Sequence, residues 1–166
     1  MAFEYKLSNI FSGGLIYSAG DTIAVLITNG FDFGDLNYVR VLGVFMIGAT
    51  LYALEIPNFF NWIDKKVPQN GSKKNDMLRA ACATLFFNPL WIARHILLIQ
   101  LVSGNYSTIG WSILMTGLIS FVVNIPVAFV ANYWIQNKVS VKNRFVVSAV
   151  FSGIMAIYYS LSETWY

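Results

Sequence analysis

Long apolar runs cut by short polar ones dominate this chain, and that alternation limits what it can fold into more than any other feature. A helix needs about 20 mostly apolar residues to cross the roughly 30 Å hydrocarbon core of a bilayer. Five windows satisfy that, at about 8–28, 41–62, 80–103, 109–134 and 145–161. Each ends where charge or turn chemistry returns: Asn29 and Gly30 with Asp32 and Asp35, then Asp64, Lys65 and Lys66, then Gly104 and Asn105, then the stretch from Gln136 to Arg144. With 57% hydrophobic and only 11% charged residues, water is the wrong solvent for most of the sequence. The expectation is an all-α fold, a polytopic transmembrane helix bundle of about five spans forming a single transmembrane domain over residues 1–166.

Charge in the short loops predicts orientation, because Lys and Arg are retained on the cytoplasmic side. With five spans, the N-terminus and the loops after the second and fourth helices share one side. They hold Lys6, Lys65, Lys66, Lys73, Lys74, Arg79, Lys138, Lys142 and Arg144, nine of the eleven basic residues. The opposite side has Arg40 with Asp32, Asp35 and Glu163. This predicts the N-terminus inside and the C-terminus outside. Tyr38, Trp62, Tyr106, Trp134 and Trp165 fall near span ends, where amphipathic rings anchor at the membrane interface. No cleavable leader or Arg-rich presequence is evident, so the first span reads as its own insertion signal. That reading favours a bacterial plasma membrane over a mitochondrial inner or peroxisomal membrane.

In lipid, helices associate through close approach at small residues and through interhelical hydrogen bonds. Gly14 and Ser18 on the first span, and Ser148, Ala149, Ser152, Gly153 and Ala156 on the fifth, supply such faces. They serve packing within the bundle or, as the alternative, a homo-oligomer interface. The lone Cys82 reads as a small packing residue.

Ionisable groups within spans are costly and usually face a bundle interior or a wet cavity. Asp21, Glu55, Arg94 and His95 are such groups. Asp21 and Arg94 lie at comparable depth, which invites a pair that either locks two helices or lines a solute path. His95 has no second His or Cys beside it, so it reads as a satisfied polar group and metal binding is not expected. Pro57, Pro89 and Pro126 each interrupt a span, with Asn58, Asn88 and Asn124 close by. Kinks flanked by amides suit a cavity, and equally suit ordinary helix bending. No phosphate-binding glycine loop, zinc-protease or hydrolase motif and no dinucleotide fingerprint occurs, so an enzyme is not expected and no cofactor is implied. The basic pI follows from loop lysines and does not imply a nucleic-acid partner. The partners expected are the lipid bilayer and a small solute or ion.

The spacing of several of these residues resembles the Mpv family of small membrane proteins, which includes a peroxisomal membrane protein and a mitochondrial inner-membrane relative. Gly14, and then Gly20 with Asp21, look like the family's first-helix glycine and GD pair. Arg40 stands at its basic position opening the second helix, Gly48 at its glycine, and Asp64 at the Asp closing the WY…LD segment. Arg79 and Pro89 look like its third-helix entry residue and proline. Pro126, Asn132 and Tyr133 are similar to the WP…NF segment, and Arg144, Tyr158 and Ser160 to the R…W…YLS pattern. Ile125 and Met155 stand where the family has tryptophans. A weaker resemblance is to small bacterial L-alanine exporters, through Asp21, Thr22 and Ala24 with Asn88 and Pro89.

The Mpv resemblance implies a channel or facilitator passing small solutes or ions, with Asp21, Glu55, Arg94, His95, Asn88 and Asn124 as the intramembrane polar set. A proton-coupled exporter of a small metabolite, such as L-alanine, is the alternative, using Asp21 or Glu55 as proton carrier. A non-transporting scaffold, in which the same groups serve packing, is the third.

Overall fold

The computed structural model describes the backbone of residues 4–163 and the side chains of residues 4–157. Trp165 and the side chains of Tyr158, Ser160 and Glu163 lie outside what it describes. Among the described residues there are seven α-helices and no strand: α1 Leu7–Thr28, α2 Tyr38–Ile47, α3 Ala53–Lys66, α4 Lys73–Phe86, α5 Pro89–Ser103, α6 Ser112–Lys138 and α7 Arg144–Glu163. Four stretches among them are long and apolar enough to cross a membrane: Leu7–Thr28, Tyr38–Lys66, Lys73–Ser103 and Ser112–Lys138. The protein is thus a helical membrane protein, with α7 lying where the sequence predicts a fifth span.

Two expected spans are not uniform helices. In the second, the five residues Gly48–Tyr52 form a π-helical turn joining α2 to α3, and Pro57 follows inside α3. In the third, the chain breaks between α4 and α5. Pro89 has no N–H and crowds the residue before it, so Asn88 is driven to an extended conformation with ψ 172°. The Asn88 side chain then accepts a hydrogen bond from the Trp91 amide at 3.0 Å, capping α5 as Pro89 opens it. Asn88, which the sequence offers as a solute-path group, is therefore a helix cap. Pro126 breaks nothing, and α6 continues through it.

The contacts divide the chain into two compact units, residues 1–56 with 145–166, and residues 57–144. In the first, α1 packs on α2 and the π-turn through glycine. A Cβ at Gly48 would lie 2.5 Å from the Gly13 carbonyl oxygen, and one at Gly13 would lie 2.6 Å from the Gly48 oxygen, so only two bare backbones can cross here. One helical face further along, a Cβ at Gly20 would meet the Gly153 Cα of α7 at 2.9 Å. Between these crossings the Tyr17 and Tyr52 rings pack with centroids 4.7 Å apart. Gly13, Tyr17, Gly20 and Ala24 share the buried stripe of α1, at the i, i+4, i+7 spacing of a helix face. Gly14 of the expected small-residue face instead receives the Phe45 ring. On α7 the buried residues are Phe145, Ser148, Ala149 and Gly153.

In the second unit, α6 packs against both α4 and α5. It comes close to α5 at Gly117, where a Cβ would meet the Pro89 carbonyl oxygen at 2.6 Å. Against α4 it uses polar contacts: Asn132 donates to the Thr84 hydroxyl at 3.3 Å, and Asn137 donates to the Asp76 carbonyl at 3.0 Å. The outward faces of α5 and α6, with Leu90, Leu118, Val122 and Val130, are exposed in the chain and apolar, as lipid-facing surface must be.

Gly48→Ala should destabilise the protein by roughly 1–3 kcal/mol, because the new methyl meets backbone rather than a movable side chain. Gly110→Ala, where a Cβ meets only the Ser112 hydroxyl at 4.0 Å, should change stability by less than about 0.5 kcal/mol. Unfolding of the two variants in detergent, side by side, checks the contrast.

Candidate functional site

Each unit holds a partly buried charge cluster. In the first, Asp21 lies two-thirds of the way along α1 and Arg40 in the first turn of α2. Asn37 caps α2 by accepting from the Arg40 amide at 3.0 Å, which fixes where that helix begins. From there the guanidinium reaches back along the hairpin. Its Nε and Nη2 donate to the two carboxylate oxygens of Asp21 at 2.8 and 2.7 Å. This is a two-pronged charge-assisted pair, the strong geometry for Arg and carboxylate. The Asp21 side chain is 11% exposed and that of Arg40 26%. Both Asp21 oxygens are thus taken by Arg40, which corrects the expected pairing with Arg94. The sequence carries a signal for this: opposite charges flank the first turn of an antiparallel hairpin, and Arg can run its long stem toward the membrane while its head seeks a partner.

The second cluster gathers residues from four segments. Asp64, in the last turn of α3, accepts hydrogen bonds from both Arg79 of α4 and Arg144, the residue that opens α7. Arg144 Nη1 lies 2.7 and 2.8 Å from the two Asp64 oxygens. Arg79 is fully buried and Arg144 is 2% exposed, while the Asp64 side chain is 27% exposed, so two buried guanidiniums face one partly solvated carboxylate.

Backbone carbonyls make up the difference. Arg79 donates to the Val67 carbonyl at 2.7 Å, just past the end of α3, and to the Gln136 carbonyl at 3.2 Å, in the last turn of α6. Arg144 donates to the Val139 carbonyl at 3.1 Å, immediately after α6, and to the Gln69 side chain at 3.2 Å. The last carbonyls of a helix lack intrahelical donors and carry the negative end of its dipole. Two helix C-termini therefore share the neutralisation of the arginines with Asp64. Gln69 also donates to the Asn137 carbonyl at 2.8 Å, tying the loop after α3 to the end of α6.

Asn124 donates to the Ser120 carbonyl of its own helix at 2.7 Å. Arg94 and His95 both lie against Trp91, one turn earlier on α5. The Arg94 guanidinium carbon is 5.7 Å from the Trp91 ring centroid and the His95 ring stacks at 5.9 Å, contacts that favour a cation in an apolar setting. The aromatic run continues through Phe87 and Phe86 to Phe59. Glu55 is half-buried in the first turn of α3, between the π-turn and Pro57. Among the described residues no group of three or more His, Cys, Asp or Glu could hold a metal ion.

Of the residues chosen by family resemblance, Asp21 joins Arg40 and Asp64 joins Arg144, while Gly20 and Gly48 are helix crossings and Asn132 bridges α6 to α4. Missed from the sequence were the roles of Gln69 and of the Val67, Gln136 and Val139 carbonyls. A backbone oxygen leaves no trace in residue identity. No family model, no curated protein and no solved structure matches this chain.

Asp64→Asn leaves two buried guanidiniums without their carboxylate and should cost about 3–5 kcal/mol. Asp21→Asn, opposite a partly exposed Arg40, should cost less. Comparing the two in a denaturant titration of the purified protein tests this order; an equal or reversed loss would show that the helix carbonyls suffice for Arg79 and Arg144.

Proposed function

We propose that this protein is a channel or facilitator for small solutes or ions. The observation that carries the reading is the backbone around Glu55. Within one apolar stretch, Tyr38–Lys66, a π-turn ends at Tyr52, Glu55 follows, and Pro57 comes two residues later. The Ala53 amide bonds the Gly48 carbonyl, the five-residue step of a π-turn, and Pro57 has no amide to offer the Ala53 carbonyl. Irregular backbone at membrane depth is tolerated where it is buried in protein or lines a water-filled cavity, and π-turns concentrate at functional sites. An ionisable side chain set between two such irregularities is what a polar path needs. Arg94 and His95 on α5 add polar groups to a second apolar stretch. The likeness of Gly20 and Asp21, Arg40, Asp64 and Arg144 to the Mpv pattern supports the same reading, and a bacterial plasma membrane is the location we favour.

Asp21 is not assigned to the path, since Arg40 occupies it. That separates two variants which the sequence treats alike. In liposomes holding the purified protein, with folding of each variant confirmed by circular dichroism, Glu55→Gln should change the flux of a permeant ion or small metabolite severalfold. Asp21→Asn should act through stability. Uphill accumulation driven by a pH gradient would replace the channel with a proton-coupled exporter, L-alanine being the first substrate to try. Absence of flux for every solute tested, in wild type as in variant, would make the protein a scaffold.

A further inference from the structure

Residues 57–144 carry nine basic residues, Lys65, Lys66, Lys73, Lys74, Arg79, Arg94, Lys138, Lys142 and Arg144, against only Asp64 and Asp76. The rest of the chain has Lys6 and Arg40 against six acidic residues. A formal charge of +3 for the whole thus conceals a strongly basic segment.

The fold concentrates that charge further. Lys65 and Lys66 end the apolar stretch Tyr38–Lys66, Lys73 and Lys74 begin Lys73–Ser103, and Lys138 ends Ser112–Lys138, with Lys142 in the following turn. These ends are held together by the Asp64 bonds to Arg79 and Arg144, by Gln69 on the Asn137 carbonyl and by Asn137 on the Asp76 carbonyl. Asp64, the acid nearest to the lysines in sequence, is consumed by two buried arginines and cannot offset them. All six lysines are exposed, and among the described residues none of them has an ion pair. Trp62 lies three residues before Lys65 and Trp134 four before Lys138, both exposed. Exposed Trp at a span end sits at headgroup level, so the ammonium groups one turn beyond are at the height of lipid phosphates.

We propose that this lysine-bearing end of residues 57–144 is a binding surface for anionic phospholipid headgroups. A cluster of four to eight basic residues at the end of membrane helices attracts anionic lipid strongly, each lysine adding attraction that decays within a Debye length. Among the described residues the lysines here make no ion pair, although Asp76 shares the first turn of α4 with Lys73 and Lys74; they are set on three helix ends rather than a floating tail, and stand beside interfacial tryptophans. This inference is independent of what the protein transports.

The test is electron spin resonance of spin-labelled lipids around the full-length protein reconstituted in phosphatidylcholine. Labelled phosphatidylglycerol should associate with the protein at least about fivefold more strongly than labelled phosphatidylcholine, and the preference should fall as sodium chloride is raised. Replacing Lys65, Lys66, Lys73 and Lys74 together by Gln should bring the two lipids close to parity, whereas replacing the same four by Arg should keep the preference. Helicity by circular dichroism confirms that both variants are folded. Equal association of the two lipids with wild type, or a preference that survives the Gln replacements, would overturn the proposal. A preference abolished by inorganic phosphate but not by chloride at matched ionic strength would overturn it in favour of a free-phosphate site.

Discussion

A single carboxylate organises one unit of this protein. Asp64 lies in the last turn of α3 and binds Arg79, in the middle of α4, and Arg144, which opens α7, so one side chain ties three helices together. Two buried cations beside one anion would ordinarily be unstable, because desolvation costs several kcal/mol per ion. The arrangement holds because α3 and α6 both end there, and their last carbonyls accept from Arg79 and Arg144. The same bonds satisfy carbonyls that a helix end cannot satisfy by itself. Charge, helix dipole and backbone hydrogen bonding are satisfied together, and the bonds tie down the short connections after α3 and α6.

The Asp21 pair with Arg40 plays the simpler version of this role between α1 and α2, beside a glycine crossing in which two backbones touch. Lipid gives helices little reason to associate by apolar burial. Close contact at Gly13 and Gly48, at Gly20 and Gly153, and at Gly117 against the start of α5 therefore supplies dispersion, while the ion pairs and Asn132, Asn137 and Gln69 supply direction. Asp21, Asp64, Arg79 and Arg144 are thus committed to ion pairs, and Asn88 to capping. The helix that carries Glu55 is irregular on both sides of that residue, at the π-turn and at Pro57.

Where the helices lie was legible from residue order, since span length and the charges that stop a span are local properties. The five predicted windows fall mostly on helix, although the third is broken at Phe87 and Asn88 and the helix of the fourth begins only at Ser112; the turn at Gly104 is where local chemistry puts it. Partnership was less legible. Depth alone made Arg94 a plausible mate for Asp21, but depth fixes one coordinate only, and the azimuth of each helix decides which side chains meet. Arg40 prevails because a short hairpin brings α2 back along α1 and a long guanidinium can reach down it. The small-residue faces show the same division: Gly14 and Ser18 were visible as spacing, yet the crossing uses Gly13, one residue and about 100° away.

By itself, then, the sequence determined that this is a helical membrane protein, roughly where its apolar helices run and which polar segments are basic, because hydropathy, proline geometry and charge act over a few neighbouring residues. Only the tertiary structure decided that Asp21 belongs to Arg40, that Asp64 is shared by Arg79 and Arg144, and that carbonyls of Val67, Gln136 and Val139 accept from those two arginines. Those choices depend on helix rotation and on backbone atoms common to every residue, which the order of side chains does not encode locally.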